Sequence, residues 1–388
     1  MTRKIGILTH YYKSRNIGGL LQAYALPQFL NNCGYKAEQI TFDFKKPDSS
    51  LLKHYRVLFP REINLKKILK YPFYRIKCFL MKCLICRKIN LQNHIFEEFE
   101  QFIAHSAQNY NNGNIYKANA DYDIFITGSD QVFAGFLLPF SAYYGEFAAP
   151  NKKIISYGAS SDVKNFPPKA EKLFIKKLQK INKISVREET LKKYIEHLTG
   201  KEVKVVLDST FLLPKEHWLK IANPEIVPEG KYIFCYFLGG KCAWQRNIAQ
   251  SYADKYGYKI VHLPYIMQSI RKADMHLKGP WRCDIGPREF ISLINGAECV
   301  FTDSFHGMAF ALNFNKNFYV FNRDDENGPA SMNARITDIL EMLGLNTRHI
   351  TDRHAVLNNT LINYAEVNKI LEGKKQESIT WLLNALES

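Results

Sequence analysis

The stretch ECVFTDSFHGMAFALNFNKNFYVF, residues 298–321, sets how the rest of the chain is read. Residues 299–301 form a short apolar run suited to a buried strand. Thr302, Asp303 and Ser304 interrupt it, and His306 and Gly307 follow. Residues 308–313 carry a helical pattern, and 318–321 read as the next strand. Strand, polar turn, helix, strand is the order of an open parallel sheet. Ligands of such sheets sit beyond the carboxyl ends of the strands. Asp303, Ser304 and His306 are therefore candidates for chemistry. In the competing reading, Asp303 and Ser304 cap the helix and His306 packs.

The same grammar recurs outward from there. Residues 4–9 read as a strand, 10–19 as a glycine-bearing loop, 20–31 as a helix and 37–44 as a strand. Asn16, Gly18 and Gly19 can form a turn whose backbone donors face a ligand, or a plain loop. The spacing is not GxGxxG, so it gives only weak support to a dinucleotide site. The strand at 123–127 ends in Gly128, Ser129 and Asp130, and that at 153–157 in small residues and Ser160. Arg187 follows a short strand at 184–186. It can grip a carboxylate or phosphate, or pair with Glu188 or Asp208. Residues 232–263 open a second βαβ series. The fold class is thus α/β, with two Rossmann-like open-sheet domains facing a cleft. The expected divisions are an N-terminal domain at 1–208, a linker at 209–230 and a C-terminal domain at 231–345. Helices at 346–388 are expected to pack back on the first domain.

Formal charge is +16, with 53 Lys and Arg against 37 Asp and Glu. That balance favours anionic partners. It concentrates at about 51–90, where eleven basic residues face one acidic residue, Glu62, among leucines and aromatics. This reads as a basic helical insertion that contacts an anionic membrane, or as an arm packed on the domain. No recognition motif accompanies the charge, so nucleic acid is not the expected partner. The eight cysteines form no framework and no paired metal cluster, so no metal is expected. No leader or membrane-spanning run is read, which points to a cytoplasmic protein, some of it at the inner face of the membrane.

Several ordered pieces resemble the polysaccharide pyruvyl transferase family. They are NIGG at 16–19 running into LLQAYAL, ITGSDQVF at 126–133, ISYGAS at 155–160, SVRE at 185–188, VVLDSTFLL at 205–213 and TDSFHGMAFALNFNKNFYVF at 302–321. The resemblance implies a GT-B-like pair of domains. It implies transfer of a pyruvyl group from phosphoenolpyruvate to a sugar of a polysaccharide or glycan precursor, forming a ketal. It requires no cofactor, and the acceptor can be carried on a polyprenyl lipid. His306 and Arg187 match the family's histidine and arginine, and Asp130 joins them as a catalytic candidate. Where many members carry an arginine two places before the histidine, this chain has Ser304, so Arg323, Arg335 or Arg282 would have to substitute. Asn16, Gly18, Gly19, Gly128, Ser129, Ser160, Asp303, Ser304, Gly307, Arg323 and Arg335 complete the binding candidates. Two alternatives share these features: a glycosyltransferase using a nucleotide sugar, and a non-catalytic protein that binds glycan or a membrane surface.

Overall fold

The computed structural model describes residues 3–43, 90–240, 242–264, 272–280, 282–323 and 333–388. All but the last residue of the basic segment at 51–90, with its expected membrane contact, lies outside them. Seven strands form the first sheet: β1 (Lys4–Leu8), β2 (Lys36–Phe42), β3 (His105–Tyr110), β4 (Ile124–Asp130), β5 (Lys153–Ala159), β6 (Lys183–Val186) and β7 (Val203–Val205). Five form the second: β8 (Tyr232–Tyr236), β9 (Lys259–His262), β10 (Cys299–Thr302), β11 (Asn317–Phe321) and β12 (His349–Ile350). The orders are β3-β2-β1-β4-β5-β6-β7 and β12-β11-β10-β8-β9. Every described pairing is parallel. Strand order reverses between β1 and β4, and again between β8 and β10, the places where open sheets hold ligands.

The helices are α1 (Ile17–Asn32), α2 (residues 90–100), α3 (Pro168–Leu178), α4 (Glu189–Thr199), α5 (Lys215–Ile221), α6 (Ala243–Tyr256), α7 (Pro287–Gly296), α8 (Phe305–Asn313), α9 (Ala334–Met342) and α10 (Tyr364–Glu387). Sequence IGGLLQAYALPQFLNN makes α1 apolar nearly all round, which a helix buried on several sides requires. It packs against the first sheet and against α7 of the second domain. Pro27 sits inside it and has no N–H to bond the Ala23 carbonyl. Gln39 Nε2 donates to that carbonyl instead (2.8 Å).

Three expectations are corrected. The first helix begins at Ile17, so Gly18 and Gly19 lie in its first turn rather than in a loop. Strand β4 runs on past 127 through Gly128, Ser129 and Asp130, with Gly128 paired to Tyr157 and Asp130 to Ala159 of β5. Helix α8 starts at Phe305, which brings His306 and Gly307 into its first turn. The stretch read as a linker holds a short helix, and its Trp218 is fully buried between Tyr24 of the first domain and Phe310 of the second. One apolar core therefore runs through both domains. Helix α10 returns to the first domain, where Ser378 Oγ accepts from the Leu207 N–H (2.9 Å) and Arg3 Nη1 donates to the Leu386 carbonyl (2.6 Å).

Candidate active site

Four strand ends of the first sheet and two helix starts of the second domain converge on one buried polar cluster. Arg187, just past β6, donates Nη1 to Asp208 Oδ2 (2.5 Å) and Nη2 to Asp130 Oδ1 (2.9 Å). Asp208 is 1% exposed and fully engaged. It also accepts from Ser129 Oγ (2.8 Å) and, through Oδ1, from the Thr210 N–H (2.9 Å) and Thr210 Oγ1 (2.7 Å). Asp130 takes φ +67°, a left-handed backbone that is costly outside glycine and tends to persist at functional sites. Burial alone would raise both carboxyls, but neighbouring Arg187 and His306 outweigh it and hold them below their usual range. Arg187 is in turn held charged: burial opposes its charge, and Asp208 and Asp130 more than compensate.

The second domain contributes His306 and Phe305 from the start of α8, and Arg335 from the start of α9. His306 Nε2 is buried, has no hydrogen-bond partner, and lies 3.9 Å from Asp208 Oδ2. Burial pushes the imidazole pKa down from 6.5, with the charges of Arg187 and Arg335 adding to it against the pull of Asp208 and Asp130. The ring packs on Gly18, where an added Cβ would sit 2.1 Å from Nδ1. The glycine is thus required by close approach across the domain boundary. Arg335 Nη1 stands 3.7 Å from Asp130 Oδ1, beyond hydrogen-bond reach, and its Nε has no partner. Burial, then Arg187, brings its pKa down to about 10. The Phe305 ring meets both guanidinium groups, at 4.9 Å for Arg187 and 5.5 Å for Arg335, within cation–π range.

The other candidates divide between support and surface. Ser304 caps α8, its Oγ accepting from the Gly307 N–H (3.4 Å). Asp303 accepts from the Leu238 N–H (2.6 Å) and the Gly239 N–H (2.7 Å), fixing the loop after β8. Gly307 fits because a Cβ there would meet Thr302 Oγ1 at 2.4 Å. Ser160 Oγ donates to Glu188 Oε1 (2.5 Å). Gly128, at φ +116°, lies against the Tyr157 carbonyl. Asn16 is exposed at the start of α1, and Gly19 follows in its first turn. Arg323 lies near Arg335, whose charge it opposes. Arg282 is held by Asp284 through Nε (2.8 Å) and Nη2 (2.9 Å). Nothing in the sequence marks Phe305, and the sequence offers Asp208 and Glu188 only as ion-pair partners for Arg187. A cleft of about 220 Å³ opens beside the cluster, bordered by Arg187, Asp208, Phe305, Ile339, Met342 and Lys192. Among the described residues no group of acidic, histidine or cysteine side chains forms a metal site. None of their helices is long and apolar enough to cross a membrane.

Comparison with known proteins identifies the relatives of this arrangement. The family model described as polysaccharide pyruvyl transferase matches residues 16–325, most of the chain. No curated protein sequence matches significantly. A structure of a point mutant of S. aureus TarM, in complex with fondaparinux, α-GlcNAc-glycerol and UDP, is 13% identical, covers 100% of both chains and has a TM-score of 0.52. The UDP-GlcNAc 2-epimerase from Methanocaldococcus jannaschii is 14% identical over 99% of each chain, with a TM-score of 0.48. That from Neisseria meningitidis is 11% identical over 97% of this chain and 99% of its own, at 0.45. The likeness to TarM is one of fold alone, the two-domain GT-B-like arrangement.

Proposed function

Since the chain belongs to the polysaccharide pyruvyl transferase family, whose members use a phosphoenolpyruvate donor and a saccharide acceptor, we propose that the interdomain cluster around His306 carries out this transfer. The observation behind this reading is three buried nitrogens without partners in one cluster: His306 Nε2, Arg187 Nε and Arg335 Nε. Each unmet buried polar atom costs roughly 1–3 kcal/mol; an anionic ligand meets the two guanidinium N–H groups, and a ligand hydroxyl meets the imidazole nitrogen. Phosphoenolpyruvate brings a carboxylate and a phosphate. Arg187 has committed both Nη atoms to carboxylates, so among the described residues of the cluster Arg335 is assigned the donor, in the role that Ser304 does not fill. The buried, neutral imidazole of His306 accepts the proton of an attacking sugar hydroxyl, and Asp208 steadies the imidazolium that forms. The proton then goes to the departing phosphate. A second hydroxyl adds to the same carbon and closes the ketal, and the proton it gives up balances the one that the methylene carbon takes in becoming a methyl.

The cleft beside Arg187 and Asp208 is the proposed approach for the saccharide. We further place the enzyme at the inner face of the membrane, its acceptor on a polyprenyl carrier, with the basic sequence 51–90 attracting anionic lipid. Sedimentation with anionic but not zwitterionic vesicles tests that part. Calorimetry with phosphoenolpyruvate tests the roles in the cluster. The expected result is that His306→Gln binds donor without turnover, and that Arg335→Met loses at least tenfold in donor affinity. Turnover by His306→Gln at the wild-type rate would contradict the assignment.

A further inference from the structure

The transfer needs a proton donor as well as a base. The methylene carbon of phosphoenolpyruvate must be protonated before a hydroxyl can add to its neighbour, and His306 is neutral in the fold. Glu188 lies directly after Arg187, past the end of β6, in an extended backbone (φ −112°, ψ 134°). It stands at the N-cap position of α4 yet makes no capping bond. The side chain is 2% exposed. Oε1 is tied to Ser160, while Oε2 is buried with no partner. The groups that act on it are Arg187 beside it, Ser160 at the end of β5, and Arg335 and Asp338 on α9 across the domain boundary. Asp338 Oδ2 meanwhile accepts from the Glu189 N–H (3.0 Å), which holds α9 against this strand end. Burial raises the Glu188 pKa in spite of Arg187, Ser160 and Arg335. A fully charged carboxylate with one bare buried oxygen would be costly, whereas a protonated one carries a hydrogen to donate.

We propose that Glu188 is the acid that protonates the donor's methylene carbon, working from the first domain opposite His306 in the second. This rests on the pyruvyl-transfer reading. Two groups whose environments push their protonation in opposite directions make an acid–base pair. The π pair of the enol takes the Glu188 proton at the methylene carbon, and the first sugar oxygen bonds to the adjacent carbon as its proton passes to His306. The carbon–oxygen bond to phosphate then breaks with its electron pair, and the phosphate takes the proton from His306. The second sugar oxygen bonds to the same carbon and returns its proton to Glu188. Both residues end as they began, with the ketal formed and hydrogen phosphate released.

The test compares wild type, Glu188→Gln, Glu188→Asp and Ser160→Ala for folding by circular dichroism, phosphoenolpyruvate binding, and turnover against pH. Glu188→Gln is expected to bind donor within threefold of wild type and to lose about 100-fold or more in turnover. Glu188→Asp should recover part of that loss. Wild-type turnover should fall on the alkaline side as Glu188 ionises. Ser160→Ala removes a hydrogen bond that favours the carboxylate, so that limb should move to higher pH. Turnover by Glu188→Gln within threefold of wild type overturns the proposal, as does a parallel loss of donor binding, or an alkaline limb unmoved in Ser160→Ala. If wild type forms no pyruvylated product with any acceptor, the pyruvyl-transfer reading fails first and takes this proposal with it.

Discussion

Gly18 and His306 meet across the two domains, a contact that their separation in sequence hides. The imidazole occupies the space where any larger residue at 18 would place its Cβ. We therefore expect Gly18→Ala to fold but to push the ring off its position, lowering kcat by about 100-fold, since ångström-scale misplacement of a reacting group costs that much. Activity with the far-ultraviolet spectrum as control checks it. His306 also leaves a signature in stability. Its native pKa lies below the ordinary 6.5. Above about pH 6.5 both native and unfolded forms are neutral and nothing is lost; below it the unfolded chain takes up the proton first, so native stability falls. Urea titrations from about pH 7.5 down to about pH 5 should show wild type losing more stability than His306→Asn. His217 and His262, also lowered, cancel in the comparison. Donor binding should tighten over the same fall in pH, because an anion beside the ring favours its protonated form. At this scale sequence brought out His306, Arg187 and Asp130 as polar residues at strand ends or in a strand-to-helix turn, and Arg335 as one of three basic residues that could stand in for the family's arginine. It left out Phe305, because an aromatic in an apolar helix looks like core. It gave Asp208 and Glu188 only paired roles, because burial and unmatched oxygens arise from packing.

The elements that hold the cluster are fixed by capping and close packing. Strand β10 ends in Asp303, whose carboxylate takes two backbone N–H groups of the loop after β8, and Ser304 caps the following helix. Asp303→Ala would leave those two N–H groups without their acceptor. We expect a loss of about 3 kcal/mol in unfolding free energy, since hydrogen bonds to charged acceptors contribute roughly 1.5–3 kcal/mol each. Chemical denaturation measures it. Strand, turn, helix, strand at 298–321 was legible because an apolar run, a polar break and a helical period follow one another. The boundaries were less so. Gly18 and Gly19 look like loop residues, and their place in α1 depends on what packs against them. Strand β3, HSAQNY, is exposed at most positions and carries little apolar signal.

In the whole molecule, the candidate site draws its residues from both domains. The first sheet supplies Asp130, Arg187 and Asp208, the second domain supplies His306 and Arg335, and a shared core holds them together through Trp218. Calorimetry should accordingly show a single cooperative unfolding transition, and Trp218→Ala, opening a cavity at this joint, should cost about 3–5 kcal/mol. Two open-sheet domains could be read from the repeated βαβ order. Their closeness could not, because it rests on apolar contacts between residues far apart in sequence. The most direct measurement is phosphate release from phosphoenolpyruvate with a panel of galactosyl, mannosyl and glucosyl acceptors, with product mass read in parallel and nucleotide sugars as control donors. We expect release that depends on an acceptor and a product heavier by one pyruvyl ketal, lost in His306→Gln. Sugar transfer from a nucleotide donor, with phosphoenolpyruvate inert and unbound, would contradict it.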